Sequence, residues 1–370
     1  MKRRTFLAAA ASVPAFPAVN TRRTPDYRIV TKYQPAAQPG MPGPFPGRVV
    51  TVHSPKCIDE VTEKVDVPTV QAMIARGMTT LTGDKDPRDS WARFFNAQDF
   101  VGIKINCSGA PGAMSMPDVV AEISRNLIAV GVKPANIVIH ERGGGQILQA
   151  HYEQFVPAGI RIESANTWLG YDPDVYVEAN FFGEDDTRSY LLRMVTEHFT
   201  KIINVPNMKD HGAAGVTGCL KNIAYGNFSN VARSHQSEKT NTYSFIATLA
   251  AAEPLRSKTV LHVMDGLKGV WHGGPFVLDK RFLFYPRQII VGTDPVAIDR
   301  QLLDIIEEKR KAEGAVSVWD RSMTHISDDP RLDPNLNHFI REPGHIEYAS
   351  QLGLGVYDQK AIHFTRLEVA

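Results

Sequence analysis

The chain has 370 residues, 43% hydrophobic and 22% charged, an ordinary globular composition. Forty-one Lys and Arg against 40 Asp and Glu give a formal net charge of +1, and no basic tract is interleaved with aromatics, which argues against nucleic acid as a partner. The length exceeds that of one usual core, so it fits one large domain or two interleaved lobes.

The first residues read M-K-R-R-T-F, followed by a small or apolar run from Leu7 to Val13 and then Pro14 and Ala15. A charged start, a short apolar core and a small-residue exit describe a signal peptide. Arg3-Arg4 ahead of Phe6-Leu7 gives it the twin-arginine form. The run is too short to span a bilayer, so no stable membrane anchor is expected. Residues 1–18 are read as this signal, ending after Ala15 or Ala18. The mature chain is then expected in the periplasm or outside the cell, with the twin-arginine translocon as its partner during export. Residues 19–47 hold Pro35, Pro39, Pro42, Pro44 and Pro46. They suit an extended leader, or an arm lying on the domain, because repeated prolines enter neither a helix nor a central strand.

Arg48–His53 is β-branched and reads as the first strand of a domain running from 48 to 370. Val67-Pro68 opens a helix with Val70, Met73, Ile74 and Met78 on one face. Phe100–Asn106 is a second strand. Met116-Pro117-Asp118 opens a helix with Val119, Val120, Ile123, Leu127 and Ile128 on its apolar face, closed by Gly131. Asn136–His140 is a third strand, so this region predicts a right-handed parallel crossover. Residues 161–186 are acidic and read as an irregular surface excursion. Thr187–Thr200 predicts a helix and Lys201–Val205 a strand. After Pro206 comes a polar loop with Lys209, Asp210 and His211, then Gly212, Gly215 and Gly218, then a short helix holding Lys221 and Asn222 and closed by Gly226. Thr240–Ala252 reads as helix, and Thr259–Met264 and Arg287–Gly292 as strands. Asp294-Pro295 starts a long helix to about Lys311, with Asp294 as its N-cap. The remainder is mixed, with a helix around Ile346–Leu352. The alternation predicts an α/β fold, a mainly parallel twisted sheet flanked by helices in Rossmann-like layers.

In such sheets ligands bind beyond the carboxyl ends of the strands. Taken strand by strand, that rule brings to one rim Lys104 and Asn106, Glu141 and Arg142, Lys209–Asp210–His211, Asp265 with His272 beyond it, and Asp294. Histidine titrates near neutrality, and a carboxylate beside it orients or charges it. Asp210, His211 and Asp265 are therefore candidate ligands for a divalent metal. Asp210, His211 and Lys221 are candidate catalytic groups. Lys104, Asn106, Lys209, Asn222, Arg233 and His235 are candidate contacts to a small-molecule ligand, with lysines and loop amides forming a cationic cradle. Glu141, Arg142, His272 and Asp294 are secondary candidates, and Asp294 equally suits a structural cap. Cys57, Cys107 and Cys219 lie far apart without a C-x-x-C, so no iron–sulfur cluster of standard spacing is expected. One disulfide and buried free thiols both remain open. No G-K-[ST] follows the glycines, and no H-E-x-x-H, G-x-S-x-G or G-x-G-x-x-G occurs, which weakens nucleotide, zincin and serine-hydrolase readings.

The order I-K-I-N, N-V-P-N-M-K-D-H, G-V-T-G-C-L-K-N, D-G-L, G-G-P and T-D-P-V-A-I-D resembles the family called domain of unknown function 362, over roughly residues 48–360. Lys209–Asp210–His211, Thr217–Gly218 and Leu220–Lys221–Asn222 carry the likeness most specifically. Secreted twin-arginine members look like this chain, whereas other members carry a ferredoxin-type segment that is missing here. The resemblance implies a fold and a site rather than a reaction. Three functions fit: an exported enzyme acting on a small anionic or oxygen-rich substrate through a metal or a cationic pocket, a non-catalytic periplasmic ligand- or metal-binding protein, and a redox protein without its own cluster.

Overall fold

A computed structural model of the chain describes residues 24–236, 239–322, 325, 327, 333–336, 339 and 341–370. The signal expected over residues 1–18 lies outside them. The arm begins with β1 (Arg28–Val30) and leads to β2 (Arg48–His53). Helix α1 (Val67–Thr82) starts where Asp66 accepts the Thr69 amide and ends at Gly83 in the left-handed region. After α2 (Pro87–Ala92), the strand β3 (Val101–Ile105), helix α3 (Pro117–Ala129) and strand β4 (Ile137–Glu141) make the predicted crossover.

Past the short α4 (Gly144–Gln149), the sequence expectation fails twice. The supposed excursion contains β5 (Arg161–Ser164) and β6 (Tyr171–Glu178). The supposed helix over Thr187–Thr200 begins as β7 (Arg188–Leu192), and only Met194–His198 winds, as a π-helical turn. From Arg188 to Leu191 half-exposed and buried residues alternate, a period of two that the apolar count alone had hidden. β6 pairs with both β1 and β7 in a small antiparallel sheet, so the arm is held by backbone hydrogen bonds.

β8 (Lys201–Val205) continues beyond Pro206 as β9 (Asn207–His211), where a loop was expected. β9 forms a hairpin with β10 (Gly215–Val216). Helix α5 (Gly218–Tyr225) follows, then the two-residue strands β11 (His235–Gln236) and β12 (Lys239–Thr240), and helices α6 (Thr242–Ala251) and α7 (Leu255–Lys258). β13 (Thr259–Val270) runs past the expected Met264. β14 (Leu283–Phe284), β15 (Gln288–Gly292), α8 (Pro295–Ala312), α9 (His345–Gln351) and β16 (His363–Glu368) complete the order.

The main sheet runs β16-β2-β15-β13-β8-β3-β4-β5. Along this path β15 alone points the opposite way, antiparallel to both β2 and β13. Two apolar cores cover the two faces. Ile103, Ile203, Leu261 and Val263 face α1 and α3, while the other face packs against α5, α6, α8 and α9. On that second face, alternation places four polar residues side by side across four strands. His140 pairs with Lys104, Lys104 with Asn204, and Asn204 with His262, and all four are fully buried. They lie beneath α5.

The reversal of β15 corrects one site assignment. Asp294 follows β15, so it sits at the edge opposite the carboxyl ends of β3, β4, β8 and β13. Its carboxylate accepts the amides of Ala297 (2.9 Å), Gly47 (2.8 Å) and Val356 (2.9 Å), and so joins α8 to the entries of β2 and β16. It is a structural cap and not a rim residue. Asp294→Ala leaves three amides without their acceptor and should lower stability by about 2–4 kcal/mol, read as a shift in the urea midpoint, without altering ligand affinity at the far edge.

Candidate functional site

The carboxyl ends of β3 and β4, helix α5 and the β9–β10 hairpin enclose a cavity of about 330 Å³. β3 and β4 contribute Asn106, Glu141 and Arg142, and α5 contributes Lys221, Asn222 and Tyr225. His211, His235, Phe339 and the Pro275-Phe276 turn also line it. Five separated segments thus meet, as the strand-end rule predicts.

Beneath the cavity lies a buried polar network. Lys104 Nζ pairs with Glu141 Oε2 at 2.9 Å and donates to the Ile105 carbonyl. Asn222 is the hub. Its Oδ1 accepts from Asn106 Nδ2 (3.1 Å) and Lys104 Nζ (3.3 Å), and its Nδ2 donates to Asn204 Oδ1 (2.8 Å). The helix end above comes so close that a Cβ at Gly226 would overlap Lys104 Cε. Glu141 also accepts the amides of Arg142 (2.8 Å) and Cys107 (3.3 Å). Lys209 Nζ donates to Asn106 Oδ1 (2.7 Å) and to the carbonyls of Ala113 (2.7 Å) and Ser108. Lys104 and Lys209 therefore brace the site from below and do not line it.

Lys221 is different. Only 8% of it is exposed, and its ammonium lies 4.4 Å from the centre of the Tyr225 ring. Among the described residues it has no hydrogen-bond acceptor and no ion-pair partner. Burial pulls its pKa down to about 7, the nearby Arg142 guanidinium adds to this, and Glu141 opposes it. Arg142 is half-buried, lies near Tyr171, and forms no ion pair among the described residues.

The histidines are neutral. His211 Nδ1 accepts the amides of Ala213 (3.1 Å) and Ala214 (3.2 Å), so Nε2 carries the hydrogen. Burial and then Lys221 hold its pKa well below the usual value. His235 Nδ1 donates to the Ala232 carbonyl (2.7 Å), which leaves Nε2 as an open acceptor, and burial pulls its pKa down to about 4. The two rings stack at 5.7 Å, and Phe339 stacks on the outer face of His235 at 5.8 Å.

The structure disperses the expected metal set. Asp210 is fully buried, and Arg341 grips both its oxygens, Oδ2 at 3.3 Å. Arg310 lies 3.7 Å away, and the Gly274 amide donates at 3.2 Å. Burial raises the Asp210 pKa, but Arg341 and Arg310 outweigh it and hold the carboxyl below its ordinary range. Alternation along β9 turns Asp210 away from His211. Asp265 accepts the amides of Met116 (2.5 Å) and Leu267 (2.9 Å) on the α3 side, and burial raises its pKa to about 6. Among the described residues, no group of three His, Cys, Asp or Glu could hold a metal. The described donors therefore do not fit the divalent ion.

Two further candidates leave the site. Arg233 donates to Glu184 (2.9 Å) and to the Asn230 (3.1 Å) and Ala179 carbonyls, and its guanidinium covers Phe181 and Phe245. It anchors the β6–β7 connection. His272 Nδ1 accepts from Arg310 (2.9 Å) behind Asp210. All three cysteines are buried and free. Sequence reasoning missed Arg310, Arg341 and His345. His345 is fully buried, and burial pulls its pKa down to about 3. Arg341 and His345 bracket a Pro-Gly turn, R-E-P-G-H, a tail signal without periodicity.

Fold and cavity together define an α/β protein with a cationic, histidine-lined pocket at the carboxyl edge of its sheet. Residues 101–304 match the model of the family described as domain of unknown function (DUF362), and the chain belongs to that family. No curated protein matches it in sequence. Among solved structures it is similar to the crystal structure of a Thermotoga maritima protein from a structural genomics consortium, at 12% identity and a TM-score of 0.37. That likeness covers 64% of this chain and 59% of the other, so the chain spans about three-fifths of that protein's length. Among the described residues, no helix is long and apolar enough to cross a membrane.

Asp210→Asn leaves Arg341 and Arg310 buried without their counter-charge. Chemical denaturation should show a loss of about 3–5 kcal/mol. A ligand role alone would leave stability nearly unchanged.

Proposed function

We propose that this chain is an exported enzyme acting on a small, anionic, oxygen-rich substrate held in the cationic cavity. Lys221 carries this reading: it is an amine facing a cavity, with no acceptor among the described residues to hold its proton. Arg142 supplies a fixed charge for a carboxylate or phosphate. His211 Nε2 donates and His235 Nε2 accepts, so the two rings would orient neighbouring oxygens of one ligand. Phe276, Phe339 and Tyr225 exclude water from the remaining surface. Lys221 is the proton-transfer group, because a pKa near operating pH suits it both to take and to give a proton. A pure binding protein would gain nothing from a cation that is lost near neutrality.

The groups facing Lys221 are Arg142, Glu141, Tyr225, His211, His235 and His345. The histidines stay neutral above their depressed values, so Lys221 governs the pH response. A bound anion favours the ammonium. Above pH 7 the free protein must take up a proton to bind, and affinity falls by up to about tenfold per pH unit. Calorimetry with malonate in buffers of different ionisation heat should show proton uptake at pH 8 and almost none at pH 6. Lys221→Met should abolish both the uptake and most of the affinity. Malonate binding without uptake, or unchanged by Lys221→Met, overturns the role of Lys221, and absence of binding overturns the cavity reading.

Export rests on the Arg3-Arg4 signal. Replacing both by lysine should keep the protein in the cytoplasmic fraction, with wild type in the periplasmic fraction. An equal distribution of the two would sink the export reading.

A further inference from the structure

The chain buries three lysines around one site, and they differ in what their amines meet. Lys104 is matched by Glu141, the Ile105 carbonyl and Asn222. Lys209 is matched by three oxygens. These partners occupy the nitrogen, even though burial pulls the Lys209 pKa down to about 7 as well. Lys221 has only the face of Tyr225, and its nitrogen borders open volume. A ring face stabilises an ammonium but does not tie up an amine lone pair. Holding a ligand by charge alone would be served as well by an arginine, which keeps its charge at every relevant pH.

We propose that Lys221 is a nucleophile that forms an imine with a small 2-oxo acid. The inference rests on the reading of the cavity as a site for small anions and goes beyond it by naming the substrate class. Arg142 takes the carboxylate, which places the adjacent carbonyl against Lys221. His211 Nε2–H donates a hydrogen bond to the carbonyl oxygen, polarising it without giving up its proton. Nζ then forms a bond to the carbonyl carbon and the C–O bond breaks. Both amine hydrogens leave with that oxygen as water, so no oxidant or co-reactant is needed. The half-deprotonated amine near neutral pH suits this step, as it does in lysines activated by burial beside another cation.

The test is reductive trapping on the full chain. Folded protein is incubated with pyruvate and cyanoborohydride near pH 7, digested and sequenced by mass spectrometry. The expected product is a single adduct on the peptide holding Lys221, equal in mass to pyruvate less one oxygen. Its localisation needs no variant. Arg142→Ala should lower the labelling at least tenfold, and malonate should block it. If malonate binds but pyruvate leaves Lys221 unlabelled, the imine fails and the anion site stands. Equal labelling of exposed lysines, insensitive to malonate, likewise overturns the imine. If neither malonate nor pyruvate binds, the cavity reading fails with it.

Discussion

The buried charge of Lys104 is the constraint around which the site is organised. An ammonium with no solvent contact is costly unless a counter-charge and further acceptors surround it. Glu141 provides the first from the neighbouring strand, and Asn222 and the Ile105 carbonyl provide the second. Meeting that demand fixes three things together. β3 and β4 must stay in register, α5 must present Asn222 downward, and the helix must end in a residue as small as Gly226. Once α5 is placed this way, Lys221 comes next to Asn222 at the cavity, one residue away from the network and outside its acceptors. The same geometry that satisfies one lysine leaves the other unsatisfied.

Much of the fold was legible in the sequence. Helices α1, α3 and α8 were marked by proline in the first turn and by apolar residues at helical spacing. The early crossover followed from β-branched runs around α3. The failures lie in strands whose residues are polar or mixed. β6 and β9 take part of their pairing from strands distant in sequence, β1 and β13, and β7 in turn pairs with β6. Local pattern cannot show a partner a hundred residues away. Asn207–His211 was read as loop because charged residues are rare in a buried strand. Here each charge is answered, Lys209 by three oxygens and Asp210 by two arginines.

The site was half legible for the same reason. The strand-end rule brought Asn106, Glu141, Arg142 and His211 together, and they line one cavity, because parallel strands deliver their ends to one edge. It misplaced Asp294, since no sequence signal reports that β15 runs backward. Asp210 and His211 are neighbours in sequence and looked like a pair. A strand separates what a turn would have joined, sending one side chain to the cavity and the other to Arg341. Asp265 was reasonable as a strand-end carboxylate but is occupied by the amide just ahead of α3 and by one in its own strand. Among the described residues, what remains is a pocket lined by Lys221, Arg142 and two histidines, with no group of carboxylates and histidines that could hold a metal.

The contacts made by Arg341 and Val356 bear on how the molecule is made. Asp210 and Asp294 also have partners earlier in the chain, yet each is completed by a residue near its end, Arg341 for the first and the Val356 amide for the second. A growing polypeptide has only Arg310 as counter-charge for Asp210 until Arg341 has left the ribosome. Phe339, from the same tail, lines the cavity, so a chain cut short before it would lack that part of the wall.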